Sequence, residues 1–428
     1  MLSLILAVVF GGTLIIGVPI AFSIGMTGLV GMFLLDAPLQ LAILKYFSGL
    51  DIFSIMAIPF FVLAGELMNI AGITRVLVDF ADLLVGRFRG GMAQVTIVAS
   101  MIFASITGSA TSAASTLGAT MIPEMEKKGY DTDFGAGVIA SASILGPIIP
   151  PSILMIIVGS ITDISVGALF VSGFIPGLIF GLGLMIMAWV IARKKRYPKR
   201  EETFQWGEIL SRGLRAVPAF FMPIIILGGV FSGVFSVTEA SSVAVAYAFF
   251  YGIIRRPQAF LKELYGAFSR SINVSVMILT VIGSAGIIAW VLAADLVAQR
   301  IADFFLEISH NPYAFLVLIN IVYLIAGCLM EPAAAILISV PLFLPLALNV
   351  GVHPLHFGLI VVLNLSIGFI TPPVGLCLYV ISGIAKLSLE RVSKAVFPFL
   401  FVEIAALALV TYVPFFALAL PRWVGLLK

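Results

Sequence analysis

The feature that most constrains this chain is a pair of helix breaks that occurs twice. Residues 107–115 carry a small polar run, Gly108, Ser109, Ala110, Thr111 and Ser112, between apolar segments. Gly146-Pro147-Ile148-Ile149-Pro150-Pro151 then interrupts the next apolar segment. Glycine weakens a helix, and proline removes a backbone donor and clashes with the preceding turn. In lipid the freed carbonyls have no water to bond, so such backbone survives only where it is packed in protein or lines a cavity. Shifting the chain by 222 positions lays Pro123 on Pro345, Gly129 on Gly351 and Gly146 on Gly368. It also lays Pro150-Pro151 on Pro372-Pro373, Leu154 on Leu376 and Ser160 on Ser382. With 22 prolines in 428 residues, a chance match is expected about one time in twenty, yet three of the four prolines between Ser109 and Ser160 match. The chain is an internal duplication, a pattern that points to a transporter.

Only 11% of residues are charged and 61% are hydrophobic, outside the range of soluble domains. Many apolar runs have the roughly 20 residues needed to cross a bilayer, and strand-type alternation is absent. The expected fold is an all-α polytopic membrane protein. Cys328 and Cys377 sit in apolar sequence and suggest neither a disulfide nor a metal site; there is no CxxC, HExxH or Walker-type loop. His353 and His356 are spaced as on one helical turn, and are read as marking a helix start near the interface rather than metal ligands. The net charge of +3 reflects cytoplasmic loops, not affinity for nucleic acid. Residues 2–35, apolar with no preceding basic region, are read as membrane-embedded rather than as a removed signal. Pro19 either divides them into two short spans or kinks one long one.

The duplication divides the chain into repeats at 1–200 and 201–428. In the first, a span at about 51–71 precedes an amphipathic interfacial segment at 73–88. A re-entrant hairpin at 92–124, a broken span at 134–160 and a long span at 166–193 follow. In the second, spans at 215–235 and 238–254 lead through a basic loop (Arg255, Arg256, Lys262, Arg270) to a span at 272–292. An amphipathic piece at 294–307, a hairpin at 313–348, a broken span at 356–384 and a last span at 394–421 complete it. The positive-inside rule puts Arg193, Lys194, Lys195, Arg196, Lys199 and Arg200 in the cytoplasm, together with 255–270. An odd number of spans then separates the two hairpin exits, so the repeats are inverted. The hairpins and broken spans, about 92–160 and 313–384, are expected to form one transport unit within a scaffold made of the rest.

Each repeat sets a polar hairpin tip against a broken helix. Half-helix N-termini attract anions and unwound carbonyls attract cations, so one depth can hold both. Expected substrate contacts are Ser109, Thr111, Ser112, Ser152, Glu331 and Asn364. Expected cation ligands are Ser109 and Ser112 with carbonyls at Gly146, Ile149 and Pro150 in the first repeat, and Glu331, Gly368, Thr371 and Pro372 in the second. Ordinary interhelical hydrogen bonds explain Asn364 and Asn320 equally well. Glu331 is the only acidic residue placed near the midplane, where a carboxylate is costly unless used. Glu66 and Glu403 are read as lying near span ends.

The run Ala57-Ile58-Pro59-Phe60-Phe61-Val62-Leu63-Ala64-Gly65, the Gly108-Ser109-Ala110-Thr111 tip, the GPIIPPS stretch at 146–152, Glu331-Pro332 and Thr371-Pro372-Pro373-Val374-Gly375 carry a resemblance over nearly the whole chain. The chain resembles the large membrane subunit of tripartite ATP-independent periplasmic (TRAP) transporters. The resemblance implies a non-enzymatic, elevator-type secondary transporter of the bacterial inner membrane, without a cofactor, with sodium as the coupling ion. It also implies a small membrane subunit and a periplasmic substrate-binding protein as partners. The implied cargo is an organic acid such as a C4-dicarboxylate or sialic acid. Because the chain opens on the large-subunit pattern, the small subunit is expected as a separate chain. The rival reading is a self-sufficient carboxylate or anion transporter of a related inverted-repeat fold. An intramembrane enzyme lacks a catalytic pair or metal set, and a scaffold gives no reason for matched helix breaks.

Overall fold

The computed structural model describes residues 2–198, 206–308 and 311–427. Lys199, Arg200 and the boundary between the repeats lie outside them. Helices joined by turns and short loops make up the described residues, with no strand among them. The first repeat contains α1 (Leu2–Ile15), α2 (Ile20–Leu34), α3 (Leu39–Leu50), α4 (Ala57–Ile70), α5 (Ile73–Val85), α6 (Gly91–Thr107), α7 (Ala110–Lys127), α8 (Thr132–Ser143), the single turn α9 (Leu145–Ile148), α10 (Ile153–Ser160) and α11 (Val166–Lys194). The second contains α12 (Trp206–Phe231), α13 (Val237–Arg255), α14 (Pro257–Ala294), α15 (Val297–Ile308), α16 (Pro312–Leu329), α17 (Pro332–Asn349), α18 (Pro354–Gly368), α19 (Leu376–Ala385), α20 (Leu389–Tyr412) and α21 (Phe415–Trp423). Nine segments among the described residues are long and apolar enough to cross a bilayer.

The 222-residue offset is visible in the elements themselves. It carries the first residue of α7 onto that of α17 and the first residue of α8 onto that of α18. Both Pro-Pro bonds, Pro150-Pro151 and Pro372-Pro373, are cis. The inversion follows from contacts. Arg391 near the start of α20 pairs with Asp133 near the start of α8 at 2.8 Å, so those helices run parallel. His356 near the start of α18 bonds the carbonyl of Val410 near the end of α20 at 2.9 Å, so those run antiparallel. The two broken helices α8 and α18 therefore run in opposite directions.

Several boundaries differ from the sequence reading. Residues 2–35 follow the first of their two sequence readings, two short helices with Pro19 capping the second, but other segments depart from theirs. Helix α3 was not expected from the sequence. The expected basic loop at 255–270 is helical: Pro257 starts α14, which runs 38 residues, about 57 Å at the standard rise. Its Lys262 and Arg270 stand on the first turns before the apolar stretch. The last span ends at Tyr412, and Pro414 precedes the short α21.

Two sets of helices frame the site, and they meet where α5 packs on α6 and α14 on α17. In one, α14 packs on α2, α3 and α4, while α13 packs on α4 and α12. In the other, α20 packs on α8, α11 and α18, and the hairpin arms interlock across the repeats: α19 lies on α7, and α10 on α17. On the water-exposed loop beside Lys195, Asp131 receives bonds from Lys195 and Tyr197, at 2.5 and 2.7 Å. Lys195 first, then Tyr197, hold that carboxyl below its usual range. This ties the end of α11 to the α7–α8 turn.

Close helix approach depends on glycine at both breaks. A Cβ on Gly368 would lie 2.5 Å from the Cα and carbonyl carbon of Gly327, and one on Gly146 would lie 2.8 Å from the Ser109 backbone. Gly368→Ala is expected to force α16 off α18. Overpacking of this kind costs about 1–3 kcal/mol, more than the roughly 0.5–1 kcal/mol of helix propensity gained. A lowered thermal midpoint of the purified protein checks this, and an unchanged one would show that the seam is soft.

Candidate functional site

The first hairpin tip is built by local backbone chemistry. Helix α6 ends at Gly108, whose φ of +59° suits glycine, and a Cβ there would lie 2.5 Å from the Pro151 carbonyl oxygen. Ser109 then caps α7: its Oγ accepts the Ser112 N–H at 3.4 Å and lies 3.2 Å from the Thr111 hydroxyl. The tip is thus pressed against the break between α8 and α10. In that break Ser152 caps α10 and donates to the Pro147 carbonyl at 2.6 Å, fully buried. Ile149 donates its N–H to Leu145. Among the described residues, nothing donates a hydrogen bond to the Ile149 and Pro150 carbonyls, which leaves two oxygens of the kind a hard cation takes.

The second tip repeats the cap with different chemistry. Glu331 caps α17, its carboxylate accepting the Ala334 N–H at 3.1 Å, as Ser109 does for Ser112 222 residues earlier. The break beside it is closed differently. Thr371 donates its hydroxyl to the Ile367 carbonyl at 2.8 Å and its N–H to Gly368. Gly368 packs on Gly327, one turn before the tip, whereas Gly146 packs on the tip residue Ser109 itself. In the first repeat, then, Gly146 meets Ser109, which also bonds Ser112, while Ile149 and Pro150 lie in the same break as Gly146. In the second, Gly368, Thr371 and Pro372 gather at the break while Glu331 serves its own helix.

A cavity of about 320 Å³ opens beside the first tip. Ser109, Thr111 and Ser112 form one wall; Glu66 of α4 with Arg270 and Asn273 of α14 form the other. Gly65 allows the approach, since a Cβ there would meet Thr107 at 3.3 Å. Arg270 Nε bonds Glu66 at 2.8 Å. Neither Ser152 nor Asn364 lines this cavity. Asn364 is fully buried and donates to Asn320 and to the Ile360 carbonyl, both at 2.8 Å. His353 caps α18 through the Leu355 N–H at 3.2 Å, in keeping with a helix start.

Two charged residues are not where the sequence reading put them. Arg270 belongs to the cavity wall rather than to the expected basic loop, and its own stretch of sequence carries no signal of that. Glu403 is the fifteenth of the 24 residues of α20 and is fully buried, so it is not near a span end. Glu331 is consequently not the only acidic residue deep in a span. The expected span at 394–421 began five residues late and ended nine residues late, which shifted the depth of everything in it.

The family model described as "Tripartite ATP-independent periplasmic transporter, DctM component" matches residues 6–416. The chain belongs to that family. The permease is 39% identical over 408 residues to the C4-dicarboxylate TRAP transporter large permease protein DctM of Pseudomonas aeruginosa, covering 94% of this chain and 95% of that one. It is 37% identical over 420 residues to the sialic acid TRAP transporter large permease protein SiaM of Vibrio cholerae, covering 97% of each. Its fold is similar to the crystal structure of the Alcanivorax borkumensis YdaH transporter, with a TM-score of 0.56, 14% identity, and coverage of 85% of this chain and 86% of that one. The permease is thus a multi-pass membrane transport protein and not an enzyme.

Ser109→Ala in the permease removes one hydroxyl, worth about 0.5–1.5 kcal/mol. For a ligand held by that hydroxyl this corresponds to a loss of affinity of up to about tenfold, which a higher concentration of the ligand should overcome. Uptake measured against both sodium and substrate concentration checks this; a loss that no concentration rescues would mean that the cap itself holds the tip together.

Proposed function

We propose that the permease carries a carboxylated organic acid across the bacterial inner membrane, driven by sodium, together with a small membrane subunit and a periplasmic binding protein. The observation that carries this reading is the cavity between the first hairpin tip and the Glu66–Arg270 pair. An arginine presents a fork of N–H donors that fits a carboxylate, and the helix N-terminus at Ser109 adds positive potential. The carbonyls of Ile149 and Pro150, with no donor of their own, favour a cation close behind the tip. A C4-dicarboxylate or a sialic acid fits these needs. The relatives' names give the same substrate class.

The packing suggests how the cargo moves. On this reading α6–α11 and α16–α21 would move as one unit around both breaks, adding α11, α20 and α21 to the 92–160 and 313–384 expected from the sequence, and α1–α5 with α12–α15 would form a frame. An elevator motion would slide the first against the second. The way to the cytoplasm would follow α7, where Ser112, Thr116, Thr120 and Glu124 recur every four residues on one face. This stripe begins at the tip cavity and ends in a second cavity of about 530 Å³ that Arg75, Asp79 and Lys128 also line.

Uptake into proteoliposomes containing both membrane subunits tests the reading, with sodium and the binding protein varied separately. Uptake is expected to need both, and to persist when the pH gradient is collapsed. Full uptake in sodium-free buffer driven by a proton gradient would overturn the sodium assignment. Transport without any binding protein would favour a self-sufficient carrier.

A further inference from the structure

One deeply buried acid has no part in the transport reading. Glu403 is fully buried, and neither carboxylate oxygen has a hydrogen-bond partner among the described residues. The rest of its stripe on α20, Val392, Val396, Phe399, Ala406 and Val410, is buried and apolar.

The helix register fixes its depth. Helix α20 runs parallel to α8, and a Cβ on Gly137 would meet the Ala395 carbonyl at 2.6 Å. Eight residues further along both helices, Glu403 stands level with Leu145, where α8 gives way to the break. Against the antiparallel α18, His356 meets Val410; seven residues back along α20 and forward along α18 bring Glu403 level with Leu363. On the α11 side, a Cβ on Gly183 would lie 2.7 Å from Val402. Glu403 therefore sits between the two broken helices. The duplication offers no counterpart, because the matching residue is Gly181, where a Cβ would lie 2.6 Å from the Met101 sulfur.

The ionisable groups on the elements packed against α20 are engaged elsewhere or stand at helix ends. On α8, Asp133 pairs with Arg391, about 18 Å from Glu403 along α20. On α18, His356 is bonded to Val410, about 10 Å away along the helix, and His353 caps the helix end. Arg193 of α11 stands over the Trp189 ring, and Lys194 ends that helix. Tyr323 of α16 accepts the Ser339 hydroxyl at 3.0 Å, and Tyr313 opens that helix. Cys328 of α16 donates to the Leu324 carbonyl, and Cys377 and Tyr379 lie on α19, which Lys386 ends. Arg422 lies in the last turn of α21, and Glu390 and Lys394 pair at the start of α20 itself. No basic side chain is within hydrogen-bonding reach of Glu403 among the described residues.

An ionised carboxylate cannot persist in apolar packing without a cation or strong donors, and a bound proton removes the charge. We propose that Glu403 is a proton-binding site, holding its proton between the two broken helices. The proton strips one negative charge from the unit that crosses the membrane potential during transport. The reading does not depend on the identity of the organic acid.

Infrared spectroscopy of the full-length protein in lipid nanodiscs at neutral pH tests it. The wild-type minus Glu403→Gln difference spectrum is expected to show loss of one protonated-carboxyl stretch. Loss of ionised-carboxylate bands instead would overturn the proposal. So would a protonated band that appears only when sodium is removed, since the resident ligand would then be the metal cation. If Glu403→Gln fails to fold, Glu403→Leu replaces it in the same difference measurement. A neutral acid in an apolar seam tolerates leucine, so that variant is expected to assemble; loss of assembly for both variants, with no protonated band in the wild type, would also sink the idea.

Discussion

Glu331→Gln is expected to abolish uptake while the protein still inserts and folds. A carboxylate at a hairpin tip within the membrane is costly to keep unless its charge is used. The structure supplies a competing role, because Glu331 also caps α17 through the Ala334 N–H. Losing a cap costs about 0.5–2 kcal/mol, enough to weaken a hairpin without any ligand being involved. Two further substitutions separate the roles. Asparagine is among the best capping residues but carries no charge, so Glu331→Asn restores the cap alone. Aspartate keeps both cap and charge, with the carboxylate withdrawn by one methylene. If the charge is what matters, Gln and Asn variants are both inactive and Asp retains partial uptake. Near wild-type uptake by the Asn variant would mean that Glu331 is a structural cap.

Arg270→Gln is expected to lower uptake at subsaturating substrate by at least about tenfold, the effect of losing one charge-assisted hydrogen bond of roughly 1.5–3 kcal/mol. Its effect on folding should be small. The Arg270 side chain is 53% exposed and that of Glu66 17%, and half-exposed ion pairs contribute only about 0–1 kcal/mol to stability. Arg270→Lys should recover little, since an ammonium cannot bind a carboxylate through two parallel bonds. Kinetics in proteoliposomes, with a thermal midpoint on the same preparations, would show the loss as a raised half-saturation concentration. Unchanged uptake would remove the cavity from the substrate's path.

The difference in legibility between these two residues has a physical cause. Glu331, Ser109 and both Pro-Pro breaks could be read from the chain because polar, glycine and proline residues contradict an apolar run of spanning length, and the contradiction occurs twice. Arg270 could not. Its environment is made by α4 and by a hairpin tip some 160 positions away in sequence, and locally it resembles the end of a basic loop. The same resemblance hid the first half of α14, whose basic side chains can reach water from a helix as readily as from a loop. Helix α3 was missed because Gln40, Lys45 and Ser48 break up its apolar residues. Glu403 was seen, but its depth depended on where α20 starts. Ser388, the residue that caps that helix, sets the start five positions earlier than hydropathy alone suggests.

The interlocked arms carry a consequence for cooperativity. Because α19 of the second repeat rests on α7 of the first, and α10 of the first rests on α17 of the second, each tip is braced by the other repeat's half-helix. A ligand that orders one tip also orders the support of the other, so part of the entropic cost of the second binding event is already met. Such coupling is reciprocal by thermodynamic necessity: whatever factor an occupant of the first tip adds to affinity at the second must return in equal measure. Were each tip to hold an ion, filling one would raise affinity at the other, and the binding curve would be steeper than for two independent sites.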